Sequence, residues 1–242
     1  MSNVFRFKQF DIRQDHAAQK VGTDSDLLGA LAAGGNDILD VGAGTGVLSL
    51  MMAQRFPEAR ITAVEIDDNA MIDLKENVET SPFKERISII HGDFARLSLE
   101  EGAFDSIVCN PPYFDLSLEC PDKSRTRARH SSSLPFEDLI GGAYKLLKEN
   151  GVFSVCIPPE VETKFDSICR IEGFWLQEIY KIKSVPEKSA KRLIIIYRKG
   201  RVETPQEHIA CMRDAINPET RERAVSQWYR DLMKDYLIAH NS

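Results

Sequence analysis

The chain has 242 residues and a formal net charge of −6, with 43% hydrophobic and 28% charged residues. This length and balance predict a globular protein of one large domain, alone or with a small extension, and exclude a disordered or low-complexity chain. No apolar run approaches the roughly 20 residues of a membrane helix, and the first residues contain no apolar signal core. The five cysteines are scattered without a Cys-x-x-Cys pair, which indicates a reducing, cytoplasmic setting and no zinc site.

Basic side chains are concentrated in two segments of this acidic chain. Residues 181–201 contain eight Lys or Arg against one Glu, and residues 123–130 contain four Lys or Arg and a histidine. Because the local field depends on how charge is distributed, the acidic total does not exclude a polyanionic partner. A nucleic acid could therefore contact one face of the molecule.

Strands and helices alternate along most of the chain. A short helix is expected over residues 27–32, with Thr23 or Asp24 as its cap. Five apolar strands follow, at residues 38–41, 61–66, 86–91, 104–109 and 152–157. Helices are expected between them, at residues 47–52, 68–79 and 135–148. The alternation predicts a parallel sheet covered by helices on both faces.

The last third of the chain has a different pattern. Residues 175–182 and 193–197, joined by a basic loop, predict a closing hairpin. A polar bridge is expected after Gly200. Residues 221–237 then place Trp228, Met233 and Tyr236 on one helical stripe, which is expected to dock onto the main domain. A partner interface is the alternative.

A glycine-rich turn, Asp40-Val41-Gly42-Ala43-Gly44-Thr45-Gly46, follows the first of the five apolar strands. Its glycines let the backbone approach a ligand closely. A dinucleotide fingerprint would have its third glycine at position 47, which is valine here. Glu65 ends the next strand, where a carboxylate can accept both ribose hydroxyl protons. Turn and acid together predict a nucleoside-bearing cofactor without a pyrophosphate; the alternative is a tight turn beside a solvated glutamate.

The segment Cys109-Asn110-Pro111-Pro112-Tyr113 follows a predicted buried strand. Two prolines remove two backbone donors and fix two φ angles, so the chain leaves the sheet rigidly at Asn110. The strand tip then offers an amide side chain, carbonyl groups without competing donors, and an aromatic ring. This combination is suited to holding a planar group that bears an NH2. A Pro-Pro turn with a structural role alone is the alternative.

Four motifs, in their order along the chain, resemble those of the class I S-adenosylmethionine-dependent amino-methyltransferases. They are Asp40 to Gly46, Glu65, Gly92-Asp93-Phe94 and Asn110 to Tyr113. The chain is similar, more closely, to the bacterial methyltransferases that modify N6 of adenine 37 in tRNA1(Val). The segments that carry this closer similarity are Phe7 to Phe10, Lys20 to Gly29 and Arg127 to His130. The similarity covers nearly the whole chain and is weakest after about Lys181.

The resemblance implies an α/β, Rossmann-like class I methyltransferase fold. Its sheet would have seven mostly parallel strands with a C-terminal antiparallel strand, and helices on both faces. The implied cofactor is S-adenosyl-L-methionine, and no metal is required. The implied divisions are an N-terminal lid (1–36), the cofactor-binding domain (37–200) and a C-terminal helical extension packed on that domain (201–242).

The resemblance also implies roles around the cofactor. The three glycines of the turn would wrap its methionyl part, Glu65 would hold its ribose, and Asp93 and Phe94 would flank its adenine. The predicted cofactor-binding residues are Gly22, Thr23, Asp40, Gly42, Gly44, Gly46, Glu65, Ile66, Asp93, Phe94 and Asn110. Residues 21–24 would lie over the pocket. Asp93 has an alternative role as the cap of the following turn, as Thr23 and Asp24 have for their helix.

The catalytic hypothesis concerns the exocyclic amine of adenine, whose lone pair is delocalised into the ring. The Asn110 side-chain oxygen and the Pro111 carbonyl would each accept a hydrogen bond from one N–H group of the amine. These two bonds would direct the lone pair at the methyl group of the cofactor. Tyr113 would stack on the base, which must first leave its stack in folded RNA. Asn110, Pro111, Pro112 and Tyr113 form the predicted catalytic set. Cys109 is expected to be a packing residue, not a nucleophile.

Other acceptors also fit Asn-Pro-Pro-Tyr. Enzymes that methylate glutamine N5 of release factors carry a helical domain before the glycine turn, whereas 39 residues precede Asp40 here. DNA adenine methyltransferases need a sizeable target-recognition insertion, and residues 113–134 are few. Enzymes that methylate guanine N2 in ribosomal RNA often have Phe in place of Tyr113. A protein that binds the cofactor without catalysis would be expected to have damaged motifs. Adenine N6 in tRNA is therefore favoured.

The basic segments then become candidate RNA contacts. The predicted RNA-binding residues are Lys123, Arg125, Arg127, Arg129, His130, Lys191 and Arg192. The first five follow the catalytic loop and would meet phosphates beside the target base, while the last two would follow a stem further away. A solvated charged face is the alternative for any single residue. A monomer is the favoured oligomeric state.

Overall fold

The computed structural model describes residues 3–111 and 134–238. Two short strands, β1 (Val4–Arg6) and β2 (Asp11–Arg13), form an antiparallel hairpin at the start. The strands of the central sheet are β3 (Asp37–Val41), β4 (Arg60–Glu65), β5 (Ile87–His91), β6 (Phe104–Cys109), β7 (Leu147–Ile157), β8 (Phe174–Lys183), β9 (Ala190–Lys199) and β10 (Gln206–Cys211). Their spatial order is β10-β8-β9-β7-β6-β3-β4-β5. β9 runs antiparallel to both neighbours, and the other pairings are parallel.

Helices cover both faces of this sheet. They are α1 (Thr23–Leu31), α2 (Val47–Arg55), α3 (Asp68–Thr80), α4 (Phe136–Leu146), α5 (Glu162–Glu172) and α6 (Gln227–Met233). Alternate residues of each strand enter opposite cores, because side chains along a strand point to opposite faces. Ile38 joins the core that contains α1, α2 and α3, and Leu39 joins the core that contains α4 and α5. None of the helices described is long and apolar enough to cross a bilayer.

The predicted α/β fold with a mostly parallel sheet is confirmed, and the sheet has eight strands where seven were expected. The eighth strand is β10, which lies where a polar bridge was expected. Ala210 is the one buried residue of β10, so this edge strand lacks an alternating apolar pattern. The antiparallel strand is β9, and two strands lie beyond it in the sheet.

Three other differences concern single elements. The hairpin β1–β2 and helix α5 were not predicted, because their buried residues are few: Ile12 in β2, and Phe165 with Cys169 in α5. Strand β7 begins at Leu147, so the helix before it is shorter than expected. The C-terminal helix occupies only 227–233, since Ser226 caps its first turn by accepting the Tyr229 N–H.

The C-terminal segment docks onto the core, as its apolar stripe predicts. Met233 and Tyr236 are buried with α1, α2 and the N-terminal aromatic residues. The Lys8 N–H donates to the Tyr236 carbonyl at 2.8 Å, and the Gln54 amide donates to the Asp235 carbonyl at 2.9 Å. The two ends of the described chain are therefore held together on one face of the sheet.

We expect Met233→Ala to lower the free energy of unfolding by about 2–5 kcal/mol, because it removes a buried side chain and leaves a cavity. Lys234→Ala, at the exposed neighbouring position, should change it by less than about 0.5 kcal/mol. Urea titration of both variants and the wild type measures the difference. Equal values for the two variants would contradict the docking of this segment.

Candidate active site at the carboxyl edge of the sheet

Strand register brings the main predicted motifs to one edge of the sheet. Val41 pairs with Val64 on β4 and with Cys109 on β6, while Glu65 pairs with His91 on β5. The residues that follow these strands therefore leave the sheet side by side. Neighbouring strands are about 4.8 Å apart, so the glycine turn lies one strand from Glu65 and one strand from Asn110. This edge is where open α/β sheets bind ligands.

The glycine turn is held open by its own backbone. Gly42, Gly44 and Gly46 have φ of 71°, 57° and 84°, in the left-handed region that favours glycine. A β-carbon on Gly42 or Gly44 would meet no atom within 4 Å, so both border open space. A β-carbon on Gly46 would lie 2.6 Å from Leu74, so this glycine lets α3 pack closely. The turn leaves room for a ligand beside its first two glycines.

Glu65 is buried and fixed by backbone groups. Its Oε1 accepts the N–H groups of Ile66 and Asp67, each at 2.8 Å, and its Oε2 accepts the Gly44 N–H at 2.7 Å. Three of about four acceptor positions on the carboxylate are therefore occupied, and one on Oε2 remains. Ile66 itself is 47% exposed at the same edge. Binding of two ribose hydroxyls by this carboxylate would require one of its present bonds to be shared.

Asp40 lies two residues before Gly42, at the end of β3, and is fully buried. The Ser49 hydroxyl donates to its Oδ2 at 2.7 Å, but its Oδ1 has no hydrogen-bond partner among the described residues. Burial raises the pKa of Asp40 to about 7, against the opposing effect of the Ser49 bond and with a smaller contribution from Glu65. A buried acceptor without a donor fits a ligand that brings one, such as an ammonium group. The residues present therefore fit the methionyl part of S-adenosylmethionine.

The start of helix α1 differs from the expected one. Gly22 is the N-cap, and it exchanges hydrogen bonds with Ser25: its N–H donates to the Ser25 hydroxyl at 3.3 Å, which donates to its carbonyl at 2.8 Å. The expectation that Thr23 or Asp24 caps this helix is therefore wrong, since both lie inside its first turn. The Asp24 carboxylate instead forms an ion pair with Arg192.

Asp93 and Phe94 follow β5 at the same edge. Asp93 Oδ1 accepts the Ala95 N–H at 3.1 Å, so this residue does cap the following turn, as its alternative role requires. The Phe94 ring is buried against α4, where a β-carbon on Gly142 would approach it to 2.6 Å. Contact of either residue with an adenine ring stays a prediction.

The residues after β6 fall partly outside the described chain. Asn110 is half-buried and Pro111 is buried, directly after Cys109. The residues of the predicted set that lie outside the described ranges are Pro112, Tyr113, Lys123, Arg125, Arg127, Arg129 and His130. Burial, with the nearby charges of Asp40 and Glu65, raises the pKa of Cys109 well above its ordinary value. A thiol held protonated in the core is a packing residue, not a nucleophile.

Lys191 and Arg192 lie at the same edge, two strands from Asn110. Cys109 pairs with Val155 on β7, and Ile157 pairs with Leu193 on β9. A cavity of about 150 Å³ opens there, and it is lined by Asp24, Cys156, Ile157, Pro158, Lys191 and Arg192. The two basic residues therefore border the predicted catalytic edge, although Arg192 is already paired with Asp24.

Two polar residues of the site were not predicted. Asp73 and Asn77 are buried on α3 and bind the backbone of residues 13–17; Asn77 also binds the glycine turn. Their spacing contained a signal, because they fall on the same helical stripe as the buried Ala70, Leu74 and Val78. Polar residues on an apolar stripe indicate buried partners. Their partners are 32 to 64 positions away, where local sequence patterns give no information.

Comparison with known proteins finds clear relatives of this chain. Residues 16–165 match the family described as "Methyltransferase small domain". A Bacteroides thetaiotaomicron protein, named tRNA1(Val) (adenine(37)-N6)-methyltransferase, is 38% identical over 237 residues, covering 97% of each chain. A Flavobacterium psychrophilum protein of the same name is 36% identical, covering 97% of this chain and 99% of its own.

Solved structures show the same fold at lower identity. An Agrobacterium tumefaciens protein, described as a predicted O-methyltransferase, superposes with a TM-score of 0.68 at 22% identity, covering 91% of this chain and all of its own. The M. jannaschii TYW2 structure in complex with AdoMet has a TM-score of 0.55 at 13% identity, covering 81% of this chain and 84% of its own. At these identities the similarity establishes the fold alone.

The raised pKa of Asp40 predicts how stability depends on pH without ligand. Between pH 3.8 and about 7 the unfolded chain loses this proton while the folded chain keeps it, so stability falls as pH rises. Asp40→Asn cannot titrate and should gain on the order of 2–4 kcal/mol relative to wild type across this range. Burial also raises the pKa of Asp26 to about 7. Asp26 is present in both proteins, so its contribution to the pH dependence of stability cancels in the comparison.

Urea titrations at several pH values between 4 and 7 measure this difference. Parallel stability curves for the two proteins would show that Asp40 is ionised throughout, contrary to the account of its burial.

Proposed function

This chain belongs to the tRNA1(Val) (adenine(37)-N6)-methyltransferase family, and we propose that it methylates N6 of adenine 37 in tRNA1(Val). The observation that carries the proposal is the register of β3 with β4 and β6. In this register the glycine turn follows β3 between Glu65 and Asn110, and the open space beside Gly42 and Gly44 supports a ligand there. We retain residues 1–36 as a lid, 37–200 as the cofactor-binding domain and 201–242 as an extension packed on it.

The cofactor residues have distinct tasks in this proposal. When bound, S-adenosylmethionine supplies an electrophilic methyl group. Gly42 and Gly44 give it space against the backbone, and Asp40 Oδ1 accepts from its ammonium group. Glu65 accepts from a ribose hydroxyl at the position that its three backbone bonds leave available. Because this carboxylate is already fixed by backbone groups, little orientational freedom is lost on binding.

Asn110 and Pro111 act on the amine that receives the methyl group. The Asn110 side-chain oxygen and the Pro111 carbonyl each accept a hydrogen bond from one N–H group of the amine. The nitrogen lone pair is then directed at the methyl carbon. Positive charge grows on this nitrogen during transfer, so both bonds strengthen in the transition state. The rigid exit of the chain from β6 keeps these acceptors in place for in-line displacement. The methylated nitrogen then releases its extra proton to water.

The tRNA would lie against the carboxyl edge of the sheet. Lys191 and Arg192 border that edge, and residues 123–130 follow the catalytic segment along the chain. Phosphate contacts of this kind position the RNA without reading its sequence. The names of the relatives favour tRNA over the release-factor and ribosomal RNA alternatives.

The proposal is tested by methyl transfer from labelled cofactor to three acceptors: unmodified tRNA1(Val), a release-factor peptide and a ribosomal RNA fragment. Label should enter the tRNA alone, and tRNA with guanine at position 37 should receive none. Labelling of the peptide or of the ribosomal RNA in preference to tRNA would overturn the proposal.

Asn110→Ala should lower kcat by about 10²–10³-fold, the loss that follows removal of one preorganised polar group at a reacting centre. Affinity for the cofactor should change much less than kcat, because Asn110 is one of eleven predicted cofactor-binding residues but one of only two acceptors assigned to the amine. Single-turnover assays give the first quantity and calorimetry gives the second. Asn36→Ala, exposed at the opposite edge of the sheet, is the control. Full turnover by Asn110→Ala would remove the amide from the mechanism.

Neutralising Lys123, Arg125, Arg127 and Arg129 should weaken tRNA binding and flatten its salt dependence. For every phosphate that is no longer neutralised by a basic side chain, the slope of log K against log salt should become shallower by about 0.7–0.9. The control carries four neutral substitutions at the opposite edge, at Arg60, Lys84, Lys145 and Arg170. Filter binding over a range of salt concentrations compares the two. If both variants keep the wild-type slope, residues 123–130 do not contact the RNA.

A further inference from the structure

Helix α3 holds the N-terminal strap, which we define as residues 13–22, through two buried side chains. Asn77 is 1% exposed and is bonded at both atoms of its amide. Its Oδ1 accepts the Arg13 N–H at 2.7 Å, and its Nδ2 donates to the Arg13 carbonyl at 2.8 Å and to the Thr45 carbonyl at 2.9 Å. Thr45 belongs to the glycine turn. One side chain therefore connects the strap to that turn.

The partners of Asn77 fix the orientation of its amide. Two carbonyl groups require the NH2 end, and the backbone N–H requires the oxygen. No rotation of the amide satisfies these groups in another way, and a side chain without both functions leaves buried backbone groups unpaired. The amide group of Asn77 therefore fixes the distance between the strap and the glycine turn.

Asp73, one turn earlier on α3, fixes the middle of the strap. Its Oδ2 accepts the N–H groups of His16 at 2.9 Å and Ala17 at 2.7 Å, and its Oδ1 pairs with the His16 imidazole at 2.8 Å. The Gln14 side chain accepts the Val21 N–H at 2.8 Å, which closes the strap directly before Gly22. A continuous series of bonds thus runs from the glycine turn to the start of helix α1.

We propose that Asn77 is a positioning residue for the cofactor. It holds the glycine turn in a fixed relation to the strap, which leads into residues 21–24 that are predicted to lie over the pocket. The turn and the strap are then in place before the cofactor arrives. α3 also begins three residues after Glu65, so the same helix is anchored beside the ribose acceptor. The inference rests on the proposed function only for the identity of the cofactor, and it is independent of the RNA acceptor.

Calorimetry of S-adenosylmethionine binding tests this role without an activity assay. Asn77→Ala should raise the Kd by at least about tenfold, since it breaks three backbone bonds that keep the strap and the glycine turn together. Asn77→Asp keeps the shape and the acceptor but turns an oxygen toward two carbonyls, so it should bind no better than Asn77→Ala. Restoration of wild-type affinity by Asn77→Asp would show that the residue only fills space, and would overturn the proposal.

Hydrogen exchange supplies a second readout. Amides of residues 13–22 should exchange faster in Asn77→Ala, while those of β6 and β7 keep their wild-type rates. Ile61→Ala, a core substitution at the amino end of β4, is the control for reduced stability. It should leave both the Kd and strap exchange near wild type. An equal rise of Kd in this control, or a wild-type Kd in Asn77→Ala, would contradict positioning by Asn77.

If the Asn77 variants do not fold, Gln14→Ala tests the same proposal. It frees Val21 without altering α3, and it should raise the Kd in the same direction. An unchanged Kd in Gln14→Ala would equally contradict the role of the strap. A protein that binds the cofactor as described but does not methylate tRNA would refute the proposed function alone and leave this inference standing.

Discussion

The in-register pairing of β3 with β4 and β6 is the constraint on which the rest of the site depends. Val41 is fixed between Val64 and Cys109, so the residues after it, Gly42 to Gly46, are held between an acid and an amide. A slip of one residue in either ladder would turn each side chain of the strand to the other face, and would carry Asp40 into the wrong core. Buried apolar residues on both faces of β3 oppose such a slip. The arrangement of residues at this edge is thus a consequence of core packing several residues away.

Hydrogen bonds with backbone groups hold the polar side chains that are buried at this edge. This bonding distinguishes them from charged side chains on the surface. Glu65 binds three N–H groups, and Asp73 binds two with an imidazole. Asp40 has one hydroxyl donor and one oxygen without a donor among the described residues. A carboxylate that is fully bonded contributes rigidity, while one that is partly bonded favours a ligand that completes it. The site therefore combines a rigid frame with one buried acceptor, two residues before the glycines, that has no donor among the described residues.

Sequence patterns predicted the central strands and the motifs at their ends, because strands buried on both faces read as continuous apolar runs. They did not predict β10, with one buried residue, or α5, with only two. The residues that converge at the carboxyl edge were predictable from strand order alone. Asp73 and Asn77 were not, since their role depends on contacts with a segment 56 to 64 positions away. Local sequence patterns identify the residue that bears a chemical group, whereas tertiary contacts decide which other residues hold that group in place.

The most direct test is mass spectrometry of tRNA1(Val) nucleosides from a strain that lacks this gene, beside the same strain carrying it again. The account predicts unmodified adenosine at position 37 in the deletion strain and N6-methyladenosine when the gene is restored. Persistence of N6-methyladenosine at position 37 without the gene, or loss of a different modification in its place, would contradict the account.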